Sequence, residues 1–352
     1  MKVYYSEAHR RHDPAFEVID GGQRTPYLES PARMDSILAA LQSAGLAEIL
    51  EPAGFGLEPV RAVHTEGYLE FLGSAWRQWL AAYPENTEAP ADAAFLPTTF
   101  ALRRHEPHIP TSLLGRAGYY MMDLSAVISG GTYEAALSAA NCALSAAHAI
   151  SNEESPDPCA FALCRPPGHH AGADYAAGYC YINNAAVAAQ WLSRAGRTAV
   201  LDVDYHACNG TQDIFYSRSD VLTISLHADP SAEYPYYAGY ADETGAGDGR
   251  GFHHNFPLPA GIDDQGYLTT LDYALEQIRQ FTPRYLIVSA GMDIYEKDPL
   301  GRFKITTAGI RAIGDRIAAL KLPTVIIMEG GYNTSELGTN MAGFVTPFAR
   351  QA

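Results

Sequence analysis

Five short apolar runs, Ala160–Leu163, Thr198–Val203, Val221–Leu226, Tyr285–Ser289 and Thr324–Met328, constrain this chain more than any other feature. Each is strand length rather than helix length, and each is soon followed by polar residues, often after glycine. Around them the spacing predicts helices at Asn184–Ala195, Tyr267–Phe281, Ala308–Leu320 and Ser335–Ala349. Short buried strands alternating with helices predict an α/β fold with a mostly parallel sheet covered on both faces. Neither GxGxxG nor GxxxxGK[ST] occurs, so the nucleotide-binding folds lack their fingerprint.

Upstream, Lys2–Tyr5 reads as a first strand. Ser30 is placed to cap a helix reaching Leu50, with Met34, Ile37, Leu38, Leu41 and Leu46 on its apolar face. A second helix is expected over Gly67–Tyr83. Residues 84–129 break the pattern with prolines at 84, 90, 97, 107 and 110. A long irregular segment in a compact chain usually forms a lid, a pocket wall or an oligomer contact. Its apolar residues, including Leu113, Leu114 and the run Tyr119–Met122, favour burial over a solvated loop. Thr132 is then expected to cap an alanine-rich helix to about Ser151. No linker divides the chain, so residues 1–352 are expected to form one domain.

A formal charge of −16, with no basic stripe or tail, argues against nucleic acid and anionic membrane as partners. Five cysteines without a CxxC pair read as reduced thiols in a cytoplasmic protein. The opening MKVYYSEAHR turns polar too soon for a signal peptide, and no apolar run approaches the ~20 residues of a membrane span.

Ligands of open α/β sheets bind at the carboxyl ends of the strands. Five successive strand ends here carry functional groups: His169 and His170, then Asp204 and His206, then His227, Asp293 and Tyr332. In Ala199–Gln212, alternation puts Asp202, Asp204 and His206 on one face of an extended strand. Two buried aspartates and a histidine are costly without a positive charge between them, which points to a divalent cation. Asp204, His206 and Asp293 together give three protein ligands with open positions, the pattern of catalytic zinc and also suited to Fe(II) or Co(II). Asp202 is the natural acceptor for a neighbouring histidine.

The blander readings weigh differently. Asp293 alone would pass for a helix cap, but it follows a buried strand and Gly291. The tandem His169–His170 could be a surface pair, yet it follows buried Phe161–Leu163 and a rigid Pro166-Pro167-Gly168 turn. Adjacent residues rarely ligate one ion, so acid/base work suits this pair better. Tyr332, after Gly330-Gly331, could donate to an oxyanion, although with 22 tyrosines it carries little weight alone. His64 reads as a structural histidine rather than a ligand.

The motifs CRPPGHH, GYCYINNAA, LDVDYH…NGTQDIFY, SLH, GMD and MEGGY, in this order, resemble the zinc-dependent histone deacetylases and their bacterial relatives, which share the arginase–deacetylase fold. KVYYSEAH and RRHEPHIPTSLLGRAGYY most resemble the acetylpolyamine amidohydrolases, a dimeric branch. The resemblance implies zinc on Asp204, His206 and Asp293, His170 as general base, and His169 as its electrostatic or acid partner. It implies Asp202 turned toward His169, and Tyr332 polarising the amide carbonyl. Gly178, Tyr179, Tyr234 and Leu300 would line a narrow aromatic tunnel. A structural potassium is implied near Asp202, Asp204, His206, Ser225 and Leu226, with a second at the carbonyls of Phe215, Arg218 and Val221. A homodimer is implied through residues 84–129.

Three departures stand out. The family run HHGNG is here His206-Ala207-Cys208-Asn209-Gly210. Asn209 leaves His170 without a carboxylate partner. Where the acetylpolyamine branch has an acidic residue in its insert, this chain has Leu113-Leu114-Gly115-Arg116, so apolar groups and a cation are expected at the rim, with Asp123 or Glu106 as the available carboxylates. The expected activity is hydrolysis of a small amide, either an acetylpolyamine type or an uncharged N-alkyl, N-aryl or xenobiotic amide. A protein deacetylase is disfavoured because a long insert narrows the mouth. A non-catalytic metal-binding module is disfavoured by the presence of His169, His170 and Tyr332. A binuclear manganese ureohydrolase needs more ligands than one DxDxH supplies.

Overall fold

The computed structural model describes residues 1–19, 22–84, 93–97, 99, 108–152, 154 and 157–350. The first part of the chain gives β1 (Lys2–Tyr4), β2 (Phe16–Ile19), β3 (Gln23–Pro26), α1 (Ala32–Ser43) and β4 (Glu48–Leu50). It continues through α2 (Glu58–Arg61), α3 (Glu66–Ala82), α4 (Leu113–Tyr120) and α5 (Thr132–Ser151). The rest alternates as β5 (Cys159–Ala162), α6 (Asn184–Leu192), β6 (Thr198–Asp202), α7 (Asn209–Phe215), β7 (Val221–Ala228) and β8 (His253–Leu258). It ends with α8 (Asp264–Phe281), β9 (Tyr285–Ala290), α9 (Thr307–Ala318), β10 (Thr324–Met328) and α10 (Thr334–Ala349).

Eight strands form one sheet in the order β4-β1-β5-β10-β9-β6-β7-β8, with every neighbouring pair parallel. This is the arginase–deacetylase fold. The five strands legible in the sequence are the five adjacent central ones, β5, β10, β9, β6 and β7. Their residues alternate between two cores, because successive side chains of a strand leave by opposite faces. Phe161, Leu201, Val288 and Ile326 join the side containing α1, α8, α9 and α10. Ala160, Val200, Ile287 and Val325 join the side containing α5 and α6. Small residues along α5, including Ala136, Ala139, Ala143 and Ala147, bring that helix close to the sheet.

Several local expectations change. The first helix stops at Ser43 instead of reaching Leu50, because Gly45 takes φ +63 and the chain then joins the sheet edge as β4. Its N-cap is Pro31, not Ser30, and no side chain caps it. Gly131, rather than Thr132, precedes α5, and the Thr132 hydroxyl instead accepts the Ser129 N–H and meets His12 Nδ1 at 2.9 Å. Within 84–129 a helix exists after all: Ser112 accepts the Gly115 N–H at 3.2 Å and opens α4. The β2–β3 pair, α2, α7 and β8 complete the elements that residue patterning did not reveal.

Candidate active site

The loops following β5, β6, β9 and β10 converge at the carboxyl edge of the sheet. Beyond β6 the chain turns, and each acidic side chain accepts a main-chain N–H two residues on. Asp202 Oδ1 accepts from Asp204 N at 3.0 Å, and Asp204 Oδ1 from His206 N at 2.9 Å. Asp204 Oδ2 also accepts the Gly330 N–H at 2.8 Å, while Asp293 Oδ1 accepts the Tyr205 N–H at 2.9 Å. These bonds aim the remaining ligand atoms at one point. His206 Nδ1 stands 3.3 Å from Asp204 Oδ1 and 3.2 Å from Asp293 Oδ2.

Glycine is required where the loops meet. A Cβ on Gly291 would lie 1.9 Å from Asp204 Oδ2, and one on Gly330 2.4 Å from Asp293 Oδ2. No side chain fits at either position.

Asp204, His206 and Asp293 bring their ligand atoms within 4.8 Å of one another. Burial and the neighbouring Asp204 push Asp293 up to about 7. Burial also acts on Asp204, but His169 and His206 hold it well below the usual carboxylate range. Crowded carboxylates of this kind, with an imidazole nitrogen turned to the same point, suit a divalent cation of intermediate softness. The donor set therefore fits the expected metal.

The two histidines of CRPPGHH stack with ring centroids 4.0 Å apart but have unlike partners. His169 Nδ1 meets Asp202 Oδ2 at 3.1 Å. Burial opposes charging His169, yet Asp204 and Asp202 outweigh it and raise the ring to about 10. His170 Nδ1 meets Asn209 Oδ1 at 2.6 Å. Burial, with the charges of His169 and His206, pushes His170 well below its ordinary value. One ring is set to be cationic and the other neutral.

Tyr332 is 9% exposed and shares its cavity with His170 and His206. Burial drives its phenol well above the ordinary value, so it keeps its proton and can donate. The cavity, of about 500 Å³, is also lined by Gly178, Tyr179, Tyr234 and Leu300. Tyr234 sits edge-on to His170 with centroids 4.9 Å apart, and Tyr179 donates to Glu17 at 2.7 Å. All four residues expected at the tunnel thus lie on its wall.

Residue patterning missed the supports beneath these groups. Glu329, the acidic residue of MEGGY, accepts the main-chain N–H of Gly168 at 2.7 Å and of His169 at 3.2 Å. Asp298 Oδ2 accepts the Tyr332 N–H at 2.6 Å while Oδ1 accepts that of Leu300 at 3.0 Å, tying the tyrosine to the cavity wall. Arg33 reaches from α1 to the carbonyls of Gly331 at 2.7 Å and Glu329 at 2.5 Å. Glu29 lies between Arg33 and Arg165, at 2.7 and 2.9 Å, with all three side chains buried. The signal for Glu329 stood beside Tyr332 in the same motif. Arg33 and Glu29 gave none, since charged residues on a helix or in the bend just ahead of it normally read as solvated.

Some sequence expectations are displaced. His227 ends inside β7, bonded to Ser225 at 2.7 Å and to the Gly239 carbonyl at 2.8 Å, and does not line the cavity. His64 is structural: its Nε2 accepts the Asn183 N–H at 3.0 Å. Arg116 turns to the Gly67 carbonyl at 2.9 Å and the rings of Phe71 and Tyr120, so it is no rim cation. Asp123 and Glu233 do line the cavity, and no Lys or Arg does among the described residues. Glu106 lies outside the described residues. The Phe215 carbonyl already accepts from Arg218 N at 2.9 Å and His253 Nε2 at 3.0 Å. It is one of the three carbonyls, with those of Arg218 and Val221, expected at the second potassium.

The fold and the site define an enzyme of amide hydrolysis, and comparison with known proteins agrees. The model of the histone deacetylase domain matches residues 27–347, and the chain belongs to that family. It is 45% identical over 350 residues to acetylpolyamine amidohydrolase 2 of Pseudomonas aeruginosa, covering 99% of this chain and 98% of the relative. It is 44% identical over 344 residues to the acetylpolyamine amidohydrolase of Mycoplana ramosa, covering 97% and 98%. The crystal structure of an acetylpolyamine aminohydrolase from Burkholderia pseudomallei superposes with a TM-score of 0.92 at 40% identity, covering 99% of this chain and 98% of that one.

Proposed function

We propose that this chain is a zinc-dependent amidohydrolase that cleaves the acetyl group from a small acetylated amine of the polyamine type. One observation carries the reading: Asp204, His206 and Asp293 face one point on the cavity floor, with His170 and Tyr332 at the same cavity. Zinc held there would supply Lewis acidity to a bound water and to the amide carbonyl, and Fe(II) or Co(II) would suit the same donors.

The chain's own groups have separable tasks. Neutral His170 accepts the proton of the attacking water at Nε2, its Nδ1 being engaged by Asn209. His169, paired with Asp202 through Nδ1 at 3.1 Å, is its electrostatic or acid partner. The Tyr332 phenol donates to the oxygen on which negative charge develops. Tyr179, Tyr234 and Leu300 exclude water around the acyl group, with the backbone of Gly178 beside them. A structural potassium near Asp202, Ser225 and Leu226 belongs to the same reading, supported by burial that pushes the Asp202 carboxyl up.

The substrate class rests on charge. With Asp123 and Glu233 on its wall and no Lys or Arg among the described lining residues, the cavity accepts an ammonium group. The alternative, an uncharged N-alkyl, N-aryl or xenobiotic amide, is favoured by Val18, Ile19 and Leu124 and by the engagement of Glu233 with Arg302 at 3.1 Å. A kinetic panel decides. Acetylated diamines should give higher kcat/KM than neutral small amides and acetyl-lysine peptide. Preference for neutral amides selects the alternative, preference for the peptide selects a protein deacetylase, and no turnover by metal-loaded protein selects a non-catalytic module.

A single domain and a homodimer through residues 84–129 belong to this proposal, the latter supported by exposed Ile109 and Leu114. No helix among the described residues is long and apolar enough to cross a membrane, and all five cysteines are free and buried. Both are compatible with the proposed cytoplasmic location.

A further inference from the structure

The partner of His170 is an amide, and an amide has two unlike ends. A carboxylate offers the histidine an acceptor whichever way it turns, whereas an asparagine must present its oxygen. The surroundings of Asn209 decide which end faces inward. Its Nδ2 donates to two phenol oxygens, Tyr237 at 2.8 Å and Tyr175 at 3.3 Å. Both phenols give their own protons elsewhere: Tyr175 to Asp213 Oδ2 at 2.5 Å, and Tyr237 to Met122 Sδ at 3.2 Å. Each phenol oxygen is therefore an acceptor toward Asn209. Asp213 stands one turn after Asn209 on α7, so the two face the same side and bracket Tyr175.

The geometry points to Tyr175 and Tyr237 as positioning residues that lock the Asn209 side chain with its oxygen toward His170, and so fix His170 as the tautomer protonated at Nδ1 with Nε2 free to accept a proton. Turning the amide over would set its oxygen against two phenol oxygens and its N–H groups against the imidazole. The first contact costs the bonds now made, and the second favours the tautomer whose Nε2 carries hydrogen and cannot act as a base. Neither tyrosine lines the cavity, and Tyr237 is 50% exposed, so both act through Asn209 rather than on substrate.

This inference rests on the proposed role of His170, and two readouts keep the two claims apart. In the metal-loaded enzyme, the double variant Tyr175→Phe/Tyr237→Phe should lower kcat about tenfold with KM unchanged, a fraction of what a general base contributes. In an Asn209→Asp background the same double change should cost less than about twofold further, because two equivalent oxygens need no orienting. Ring-nitrogen NMR of the labelled histidines should report His170 protonated at Nδ1 in the parent and a mixture of tautomers in the double variant. If the tyrosine changes cost as much in the Asn209→Asp background as in the parent, the role is merely structural and the inference fails. An unaltered tautomer in the double variant overturns it equally. A parent enzyme without amide hydrolysis would sink the proposed function, while the NMR result would still decide this inference.

Discussion

The floor and the wall of the cavity are built on different principles. The floor comes from the ends of adjacent strands, and its carboxylates are fixed by main-chain N–H donors: Asp204 by His206 and Gly330, Asp293 by Tyr205, Glu329 by Gly168 and His169. The wall is gathered from segments far apart in sequence: Val18 and Ile19 of β2, Met122–Ser125, Glu233–Tyr236 and Leu300. A sheet edge fixes chemistry to fractions of an ångström, while loops can change what is admitted without disturbing it. Floor substitutions should therefore abolish turnover, and wall substitutions should change preference.

The hardest test of that contrast is Asp204→Asn, which should leave less than one metal per chain by elemental analysis and activity at background. Substantial turnover in that variant would break the comparison. Next, Tyr332→Phe removes a donor from the floor and should lower kcat about 10²–10³-fold in steady-state assays with little change in KM. Glu29→Gln tests the support below: two buried guanidinium groups lose their shared counter-charge, and denaturant unfolding should register about 3–5 kcal/mol of lost stability. On the wall, Leu300→Ala should raise KM by about tenfold or less while kcat stays within about twofold, the mark of lost uniform binding.

A buried histidine gives a baseline outside the site. Burial holds His64 down to about 4 against an ordinary 6.5, so the unfolded chain takes up this proton first as pH falls. The His64 contribution to folding stability, read as the difference between the parent and His64→Gln, should be complete above 6.5 and decline toward 4, at up to about 1.4 kcal/mol per pH unit. Chemical denaturation across that window should show the same decline in Asp204→Asn, separating it from titration of the floor.

The floor was largely readable from residues because strand ends announce themselves. An apolar run such as TVIIM followed by EGGY leaves little choice of where the polar side chains go. Residue patterning alone revealed less of the wall, since FEVI and QRTP are short and half polar, and only their antiparallel pairing joins them. β4 was hidden for another reason: Leu46 and Ile49 continue the spacing of α1 past the glycine that ends it. Charge was misjudged at Arg116, whose guanidinium reads as a rim cation in sequence but folds back over aromatic rings. Asn209 was legible as a departure from a carboxylate, but its remedy lay in Tyr175 and Tyr237, one of them 28 residues further along the chain.

The Arg33 contacts bear on how the protein matures. That side chain holds the loop carrying Tyr332 from a position 298 residues earlier in the chain. Closing so long a span is slow, and contacts of this separation form after local ones. A nascent polypeptide therefore carries its histidines and aspartates well before the tyrosine loop is anchored. Activity should appear late in refolding, after most secondary structure, once α1 has docked on the loop beyond β10.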